Sequence, residues 1–282
     1  MPHPVERDAE GAHFVGRTPF FAAQHDQRLS YALYVPKDHT AADDPLPLVV
    51  VQHGTGRSAE RYRDEWADFA VEHRCVILAP LFPAGLAEPG ELHGFKFLEH
   101  QGTRFDHELL HIVDEVAERF NTEASTFVMH GFSGGGQFAH RFFYAHPDRL
   151  SGLSIGAPGR ITRLDDSLPW WLGTGGFAER FGIEIDPAAL RGVPVQMVVG
   201  DADVETWEIN NVGGPNWMDG VERTGRTRIE RLETLRADFA AHGIDVRFDL
   251  VPGVAHQGSA VIPVVQDFVA GVLRDRDPRE TR

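Results

Sequence analysis

Short apolar runs alternate with amphipathic runs along nearly the whole chain, and this alternation limits the fold more than any other feature of the sequence. PLPLVVVQHG (45–54) and CVILAP (75–80) are continuous apolar runs of the kind that form strands covered on both faces. SAERYRDEWADFAVEH (58–73), which lies between them, has a polar start and the pattern of a helix. Two strands joined through a helix are the basic unit of a parallel sheet, so the sequence predicts one here.

The same alternation continues to the C-terminus. Further strands are predicted over 28–36, 125–131, 150–158, 193–201 and 245–251. Further helices are predicted over 104–120, 134–146, part of 222–242 and 259–273. The fold class that follows is α/β, with a mostly parallel central sheet and helices on both faces. Because no linker divides the chain, residues 1–282 are predicted to form one domain, with loop-rich cap segments at about 159–192 and 204–220.

Charge and composition exclude several classes of function. The net charge of −15 repels the phosphate backbone, so no nucleic-acid partner is expected. No apolar run approaches the ~20 residues that span a bilayer, and the polar start MPHPVERDAEGAHF lacks the apolar centre of a secretory signal. We therefore expect a cytoplasmic protein with no membrane span and no cofactor. Cys75 is the only cysteine, which excludes an intrachain disulfide and a cysteine-rich metal site. The sequence does not indicate the oligomeric state.

HELLH (107–111) has the spacing in which two histidines one helical turn apart bind zinc. Helical periodicity turns one apolar stripe toward the sheet. The stripe consists of Phe105, Leu109, Ile112, Val113, Val116 and Phe120. His107 and His111 then lie on the opposite, polar face. No third ligand is available, because Asp114 replaces the glycine of the extended motif and no glutamate occurs between residues 123 and 179. We therefore predict no metal site and disfavour a zinc peptidase.

GFSGG (131–135) fits the pattern G-x-S-x-G, and its neighbours give it a specific structural context. A strand run, STFVMH, precedes it, and a helical run, QFAHRFFYAHP, follows it. Ser133 is thus predicted at a tight strand-to-helix turn that exposes its hydroxyl over the edge of the sheet. Glycines are needed on either side because side chains there would collide with the adjacent strand and helix.

A serine hydroxyl needs a base to accept its proton, and the base needs a carboxylate to orient it. DLVPGVAHQG places His256 directly after the last predicted strand. VQMVVGDADVE places two carboxylates, Asp201 and Asp203, after the preceding strand. We favour Asp203, since two further residues let the chain leave the strand before the carboxylate turns toward His256, and Asp201 remains the alternative.

An acyl-transfer intermediate also needs backbone N–H groups that bind its oxyanion. Gly134, directly after Ser133 at the helix start, is predicted to supply one donor. The second is predicted from the loop HGTGR that follows VVVQ, with Thr55 as the favoured donor and Gly54 as the alternative.

The chain resembles the α/β-hydrolase superfamily over about residues 28–273, in the order LVVVQHGTGRSAERY, CVILAPLFPAG, FDHELLHIVDEVAERF, FVMHGFSGGGQFAHRFFYAHPDRLSGLSIGAPG, VVGDAD and GVAHQG. Within it, the chain is similar to bacterial esterases of the polyhydroxybutyrate-depolymerase and feruloyl-esterase type. The resemblance implies that Ser133, Asp203 and His256 are nucleophile, acid and base, and that HGTG is the oxyanion loop. It implies a serine esterase that cleaves a small-molecule carboxylic ester through an acyl-enzyme.

The cap segments carry the only hints about substrate. Trp170, Trp171, Trp207 and Trp217 are candidates for an aromatic pocket. The alternative is that they anchor the cap or a subunit contact. Arg160 and Arg163 are candidates for binding a carboxylate of the substrate, with simple surface placement as the alternative. The same machinery also serves lyases, acyltransferases, amidases and peptidases, which remain alternative functions.

Overall fold

The computed structural model describes residues 14–40, 42–214 and 216–276. Within these residues the strands are β1 (Gly16–Arg17), β2 (Phe21–Ala22), β3 (Ser30–Val35), β4 (Leu46–Gln52), β5 (Val76–Leu81), β6 (Glu99–His100), β7 (Thr103–Arg104), β8 (Thr122–Phe132), β9 (Leu150–Gly156), β10 (Val195–Gly200) and β11 (Val246–Val251). The helices are α1 (Ala59–Glu65), α2 (Ala67–Glu72), α3 (Phe105–Phe120), α4 (Gly134–Ala145), α5 (Phe177–Phe181), α6 (Pro187–Arg191), α7 (Arg228–Ala241) and α8 (Gly258–Arg276). The central sheet is mostly parallel, as the sequence predicted.

The chain forms two compact units. One unit holds the described residues up to Met129 together with those from Val269 onward, and the other is His130–Phe268. The prediction of a single domain over 1–282 stays a prediction. The expectation of a cytoplasmic protein depends partly on the polar start of the sequence, of which residues 1–13 lie outside the described residues. None of the described helices combines the length and the apolarity that a membrane crossing requires.

In the first unit the strand order is β1-β3-β5-β4-β8, and β2 also pairs with β3. β4 and β5 are parallel, with Val49 opposite Ile77, and both are buried along most of their length. They are joined through α1 and α2, which pack on β3 and β5. β3 runs antiparallel to β5, so the first predicted strand is one of the few that depart from the parallel arrangement.

The helix predicted over 58–73 is interrupted at Trp66. This residue ends α1 and precedes α2 with φ −107° and ψ 3°, outside the helical range. The indole at this interruption is fully buried, and its ring packs edge-on against Phe69 with centroids 5.1 Å apart. The single predicted helix is thus two short helices that meet at a buried aromatic residue.

In the second unit the end of β8 is followed across the sheet by β9, β10 and β11. β10 is parallel to both neighbours, with Val195 opposite Leu153 on one side and opposite Val246 on the other. α4 packs on β9, whereas α7 packs on β10 and β11. Because parallel strands end at the same edge, the loops that follow β9, β10 and β11 all begin at one edge of this unit.

Candidate active site

Ser133 occupies the turn between β8 and α4 in a backbone conformation that non-glycine residues rarely adopt. Its φ is 57° and its ψ −113°. The turn is held by the Ser133 N–H, which donates to the carbonyl oxygen of Gly156 at 2.8 Å. A Cβ atom on Gly131 would collide with the backbone of Gly135, and one on Gly136 would collide with the carbonyl of Gly156. Gly131 of GFSGG and Gly136, which follows the motif, are therefore required by the close approach of backbone, whereas the need for glycine on the other side of Ser133 within the motif stays a prediction.

Three side chains in the second unit form a continuous hydrogen-bonded line. Ser133 Oγ lies 3.0 Å from His256 Nε2, and His256 Nδ1 lies 2.6 Å from Asp203 Oδ2. Because an ionised carboxylate only accepts hydrogen bonds, the proton of the neutral ring is on Nδ1, and Nε2 can accept the proton of Ser133. The Asp203 side chain is fully buried and that of His256 is 23% exposed. A small molecule can thus reach the histidine side of the line, whereas the carboxylate is shielded from water.

The two candidate carboxylates after β10 have different partners. Asp203 follows a turn in which its N–H donates to the carbonyl oxygen of Gly200 at 3.2 Å, and its carboxylate contacts His256. Asp201 Oδ1 instead accepts the N–H of Gly253 at 2.6 Å. Asp201 therefore fastens the loop that carries His256 but does not touch its ring.

Arg228 is a neighbour of this line that the sequence analysis missed. Its Nη1 donates to Asp203 Oδ1 at 3.2 Å and its Nη2 to Glu208 at 2.6 Å. The two oxygens of Asp203 are thus divided between a histidine and a buried arginine. Arg228 is placed by the start of α7, where Thr227 Oγ1 accepts the N–H of Glu230 at 3.1 Å. The T-x-x-E cap was visible in the sequence, but the direction in which the following arginine points was not.

The predicted oxyanion donor Gly134 is the first residue of α4. A helix N-terminus leaves its first N–H groups without intrahelical acceptors and attracts negative charge. Among the described residues, no backbone acceptor is assigned to the Gly134 N–H. This group is therefore available to a ligand next to Ser133.

The HGTG loop, which carries the second predicted donor, lies in the first unit and is fastened by His53. The ring of His53 donates from Nδ1 to the carbonyl oxygen of Gly54 at 2.8 Å and accepts the N–H of Phe82 on Nε2 at 3.0 Å. Burial lowers the pKa of His53 to about 3, so the ring stays neutral and keeps both bonds. Thr55 is half-buried, and its carbonyl oxygen accepts Nη1 of Arg57 at 2.6 Å. Its role as a donor to the oxyanion stays a prediction.

The HELLH segment lies on α3, and the predicted apolar stripe is buried. His107 and His111 are both exposed, as predicted from the periodicity. His107 Nε2 accepts from Arg104 at 3.0 Å, whereas Glu108 contacts His25 Nδ1 at 2.9 Å. The ring of His111 stacks on that of His25 with centroids 3.7 Å apart. Within the described part of the chain, His107 and His111 thus have separate partners.

The four candidate pocket tryptophans do not share one environment. Trp170 packs on Phe177 and Phe181 with centroids 5.4 and 5.0 Å apart, which is the arrangement of an aromatic anchor. Trp171 is buried, Trp217 is half-buried and Trp207 is 75% exposed. The aromatic pocket stays a prediction. A separate cavity of about 800 Å³ lies in the second unit and is lined in part by Arg163 and Asp238, and none of the four tryptophans lines it.

No known family pattern matches this sequence, and no curated protein matches it by sequence. Solved structures do match in three dimensions. Poly(aspartic acid) hydrolase-1 from Sphingomonas sp. KT-1 superposes with a TM-score of 0.72 at 23% identity, over 90% of this chain and 98% of that one. LpqC, a poly(3-hydroxybutyrate) depolymerase from Bordetella parapertussis, superposes with a TM-score of 0.70 at 21% identity, over 94% and 93% of the two chains.

An S-formylglutathione hydrolase from Agrobacterium tumefaciens superposes with a TM-score of 0.60 at 16% identity, over 90% of this chain and 93% of that one. A ferulic acid esterase gives the same score at 14% identity, over 91% and 96%. These likenesses extend over nearly the whole chain. This protein therefore has the α/β-hydrolase fold.

Proposed function

We propose that this protein is a serine hydrolase that cleaves a small-molecule carboxylic ester through an acyl-enzyme on Ser133. The observation that carries the proposal is the line of contacts from Ser133 Oγ through the His256 ring to Asp203, at 3.0 and 2.6 Å. The names of the solved structures with the same fold, which include esterases and hydrolases, support it.

The geometry supports a two-step reaction. Ser133 Oγ attacks the ester carbonyl as its proton moves to His256 Nε2, and Asp203 stabilises the resulting imidazolium. The Gly134 N–H binds the oxyanion of the tetrahedral intermediate, with the Thr55 N–H as the predicted second donor. His256 then returns the proton to the departing alcohol, which leaves the acyl group on Ser133. A water molecule activated by His256 releases the acid and restores the serine.

Arg228 is proposed as a positioning residue for this reaction. Its contact with Asp203 Oδ1 leaves only Oδ2 for the imidazole, which fixes the direction of the carboxylate. Glu208 contacts the other end of Arg228, and because the Glu208 side chain is 48% exposed, the pair connects the buried carboxylate to the surface.

Labelling with a fluorophosphonate probe tests the proposal directly. The intact mass is expected to increase by one adduct, and peptide mapping is expected to place the adduct on Ser133. Ser133→Ala is expected to remain unlabelled at the same folded fraction, and Ser154→Ala, which removes a buried serine, is expected to label like the natural protein. An adduct on another residue would refute the nucleophile assignment.

The product of the reaction separates hydrolysis from the alternative functions. In ¹⁸O-water, an esterase puts one labelled oxygen into the released acid, whereas an acyltransferase transfers the acyl group to an added alcohol. A lyase gives no labelled acid. Activity that survives 1,10-phenanthroline contradicts a zinc peptidase at HELLH, and activity toward a matched amide would extend the substrate range to amides.

A further inference from the structure

Arg160, in the loop that follows β9, is a buried cation without a hydrogen-bonding partner. The residue is 7% exposed. Its guanidinium lies over the ring of Trp171, with 5.9 Å between Cζ and the ring centroid. Within the described part of the chain it makes no hydrogen bond and no ion pair. A guanidinium has five N–H donors, and no nitrogen of Arg160 is both fully buried and unpaired, so the group keeps access to solvent and can receive an acceptor that a ligand brings.

The surroundings of Arg160 carry more positive charge than negative. Arg231 is also buried, and its hydrogen bonds go to neutral acceptors, which include the carbonyl oxygens of Gly159 and Gly225. Arg228, the third arginine of this group, pairs with Asp203 and Glu208. Burial, followed by the charges of Arg160 and Arg228, lowers the pKa of Arg231 to about 10. Arg141, whose charge interacts with that of Arg160, and Glu230, whose charge acts on Arg231, belong to the same group. Four guanidiniums thus share three carboxylates, of which Asp203 also serves His256.

The position of Arg160 in the chain connects it to Ser133. Gly156, at the end of β9, accepts the N–H of Ser133 at 2.8 Å. Gly159, the neighbour of Arg160, lies against Gln137, so that a Cβ there would be 3.3 Å from the amide nitrogen. Gln137 is one turn into α4, and its N–H donates to the carbonyl oxygen of Ser133 at 3.1 Å. The loop that carries Arg160 is therefore built onto the turn that carries the nucleophile.

We propose that Arg160 binds a free carboxylate of the substrate, so that the natural substrates are esters that carry a carboxylate on either their acyl or their alcohol part. This inference deepens the proposed ester hydrolysis and depends on it. A carboxylate matches the planar fork of a guanidinium and can accept two parallel hydrogen bonds. It would also neutralise the excess positive charge of the four arginines.

The overall charge of the protein gives this interaction a role in selecting the substrate. At net charge −15 the surface as a whole repels anions, so an anionic ester is retained only where local cations compensate. Burial lowers the pKa of Arg160, and the charge of Glu208 partly opposes this effect. A substrate carboxylate would act in the same direction as Glu208 and at a shorter distance. Binding of the substrate carboxylate and retention of the positive charge on Arg160 would thus favour each other.

The test compares matched esters that differ only in charge. For the acyl side, umbelliferyl hydrogen adipate is compared with the adipamate ester, in which a neutral carboxamide replaces the carboxylate. For the alcohol side, the butyrate ester of 4-hydroxybutanoate is compared with the ester of 4-hydroxybutanamide. We expect kcat/KM to favour the carboxylate by roughly tenfold to a hundredfold in one of the two pairs, as charged hydrogen bonds in a buried site do. The pair that shows the preference identifies the part that carries the carboxylate.

Variants assign the preference to Arg160. Arg160→Met is expected to bring the ratio of kcat/KM between carboxylate and carboxamide esters to about one. Arg160→Lys is expected to retain part of the preference for the carboxylate. The matched control is Arg163→Met, because Arg163 is 39% exposed, pairs with Asp238 at 3.6 Å, and lies on the separate cavity. This control is expected to keep the ratio of the natural protein.

Each outcome decides something specific. Equal kcat/KM values for carboxylate and carboxamide in both pairs, in the natural protein, would overturn the inference even if the Arg160 variants fail to fold. A preference that persists in a folded Arg160→Met would overturn the assignment to this residue. Failure of the fluorophosphonate to label Ser133 would instead refute the proposed hydrolysis, so the two failures are distinguishable.

Discussion

The second unit contains two serine–histidine contacts of the same length. Ser133 Oγ lies 3.0 Å from His256 Nε2, and Ser154 Oγ lies 3.0 Å from His130 Nδ1. The first pair is accessible, since the His256 side chain is 23% exposed. In the second pair, both Ser154 and His130 are fully buried. A serine and a histidine in contact are therefore not by themselves a sign of a nucleophile.

The two pairs differ most in the third group to which each pair is hydrogen-bonded. His256 is backed by the carboxylate of Asp203, which fixes a proton on Nδ1 and leaves Nε2 as an acceptor. Ser154 instead donates its own proton to Gln196 Oε1 at 2.8 Å, so it must accept the hydrogen bond from His130. The proton thus points from serine to histidine in the first pair and from histidine to serine in the second. Only the first arrangement can generate an alkoxide.

Replacing each serine in turn tests the difference between the two pairs with the largest expected effect. Ser133→Ala is expected to lower kcat for a p-nitrophenyl butyrate substrate by about four orders of magnitude or more, because the remaining groups of a triad act poorly alone. Ser154→Ala is expected to leave kcat near that of the natural protein and to lower the free energy of unfolding by about 1–2 kcal/mol, since it removes buried hydrogen bonds. Steady-state kinetics and urea unfolding measure both. A loss below a hundredfold in Ser133→Ala would contradict its role.

Replacing Asp201 and Asp203 gives a second test, with a smaller expected effect, of which group orients His256. Asp203→Asn is expected to lower kcat by about 10⁴-fold, because an amide can hold the imidazole in the wrong tautomer. Asp201→Asn is the matched control, since that carboxylate binds the N–H of Gly253 and does not touch the ring. It is expected to change kcat by less than about tenfold, through the loop alone. Equal losses in the two variants would show that His256 takes its orientation from elsewhere.

Arg228 tests how Asp203 is positioned, because its buried guanidinium contacts the carboxylate that is hydrogen-bonded to His256. Arg228→Met is expected to lower kcat by roughly tenfold to a hundredfold, which corresponds to the loss of one charged hydrogen bond. KM should change little, since Arg228 positions Asp203 and does not touch the substrate. Arg228→Lys is expected to restore part of kcat, which a merely structural loss would not do. Arg247→Met serves as control because Arg247 is 41% exposed and pairs with Asp249 and Asp267. A change in KM alone would contradict a positioning role.

The sequence predicted the sheet and the line of candidate residues well, and the reason is physical. β4, β5, β9 and β10 are continuous apolar runs because they are buried on both faces, so their positions could be predicted to within about two residues. The carboxyl ends of parallel strands share one edge, so Ser133, Asp203 and His256 could be expected together without any knowledge of the packing. The distances described above agree with that expectation, whereas the catalytic roles stay predictions.

Features that depend on packing between distant segments could not be predicted. Arg228 contacts a carboxylate 25 residues earlier in the chain, and its direction is set by how α7 packs on β10. The helical pattern over 58–73 is interrupted at Trp66, whose ring is buried, and the local pattern did not indicate this break. His130 belongs to an apolar strand run, and only the structure shows that its partner is Ser154. Local periodicity predicts elements, but the partner of a polar side chain is decided by the tertiary structure.

The buried pair also predicts a dependence of stability on pH. Burial lowers the pKa of His130 to about 4 from its ordinary value of 6.5. Between these two values the unfolded chain binds a proton at this position that the folded protein does not bind. The free energy of unfolding therefore falls as the pH is lowered from 6.5 toward 4, by up to about 1.4 kcal/mol per pH unit for this one proton. The buried ring of His53 adds to the same slope.

His130→Gln isolates the contribution of the buried pair, because glutamine can still donate to Ser154 but cannot be protonated. Urea unfolding at pH 7, 6, 5 and 4.5 is expected to give a shallower decline for the variant than for the natural protein, by up to about one proton. A lower stability of the variant at pH 7 does not affect this test, since the slope and not the absolute value is compared. If the free energy of unfolding of the two proteins declined in parallel, His130 would be protonated to the same extent in the folded and the unfolded state. The electrostatic difference between the buried pair and the pair of Ser133 and His256 would then have no support.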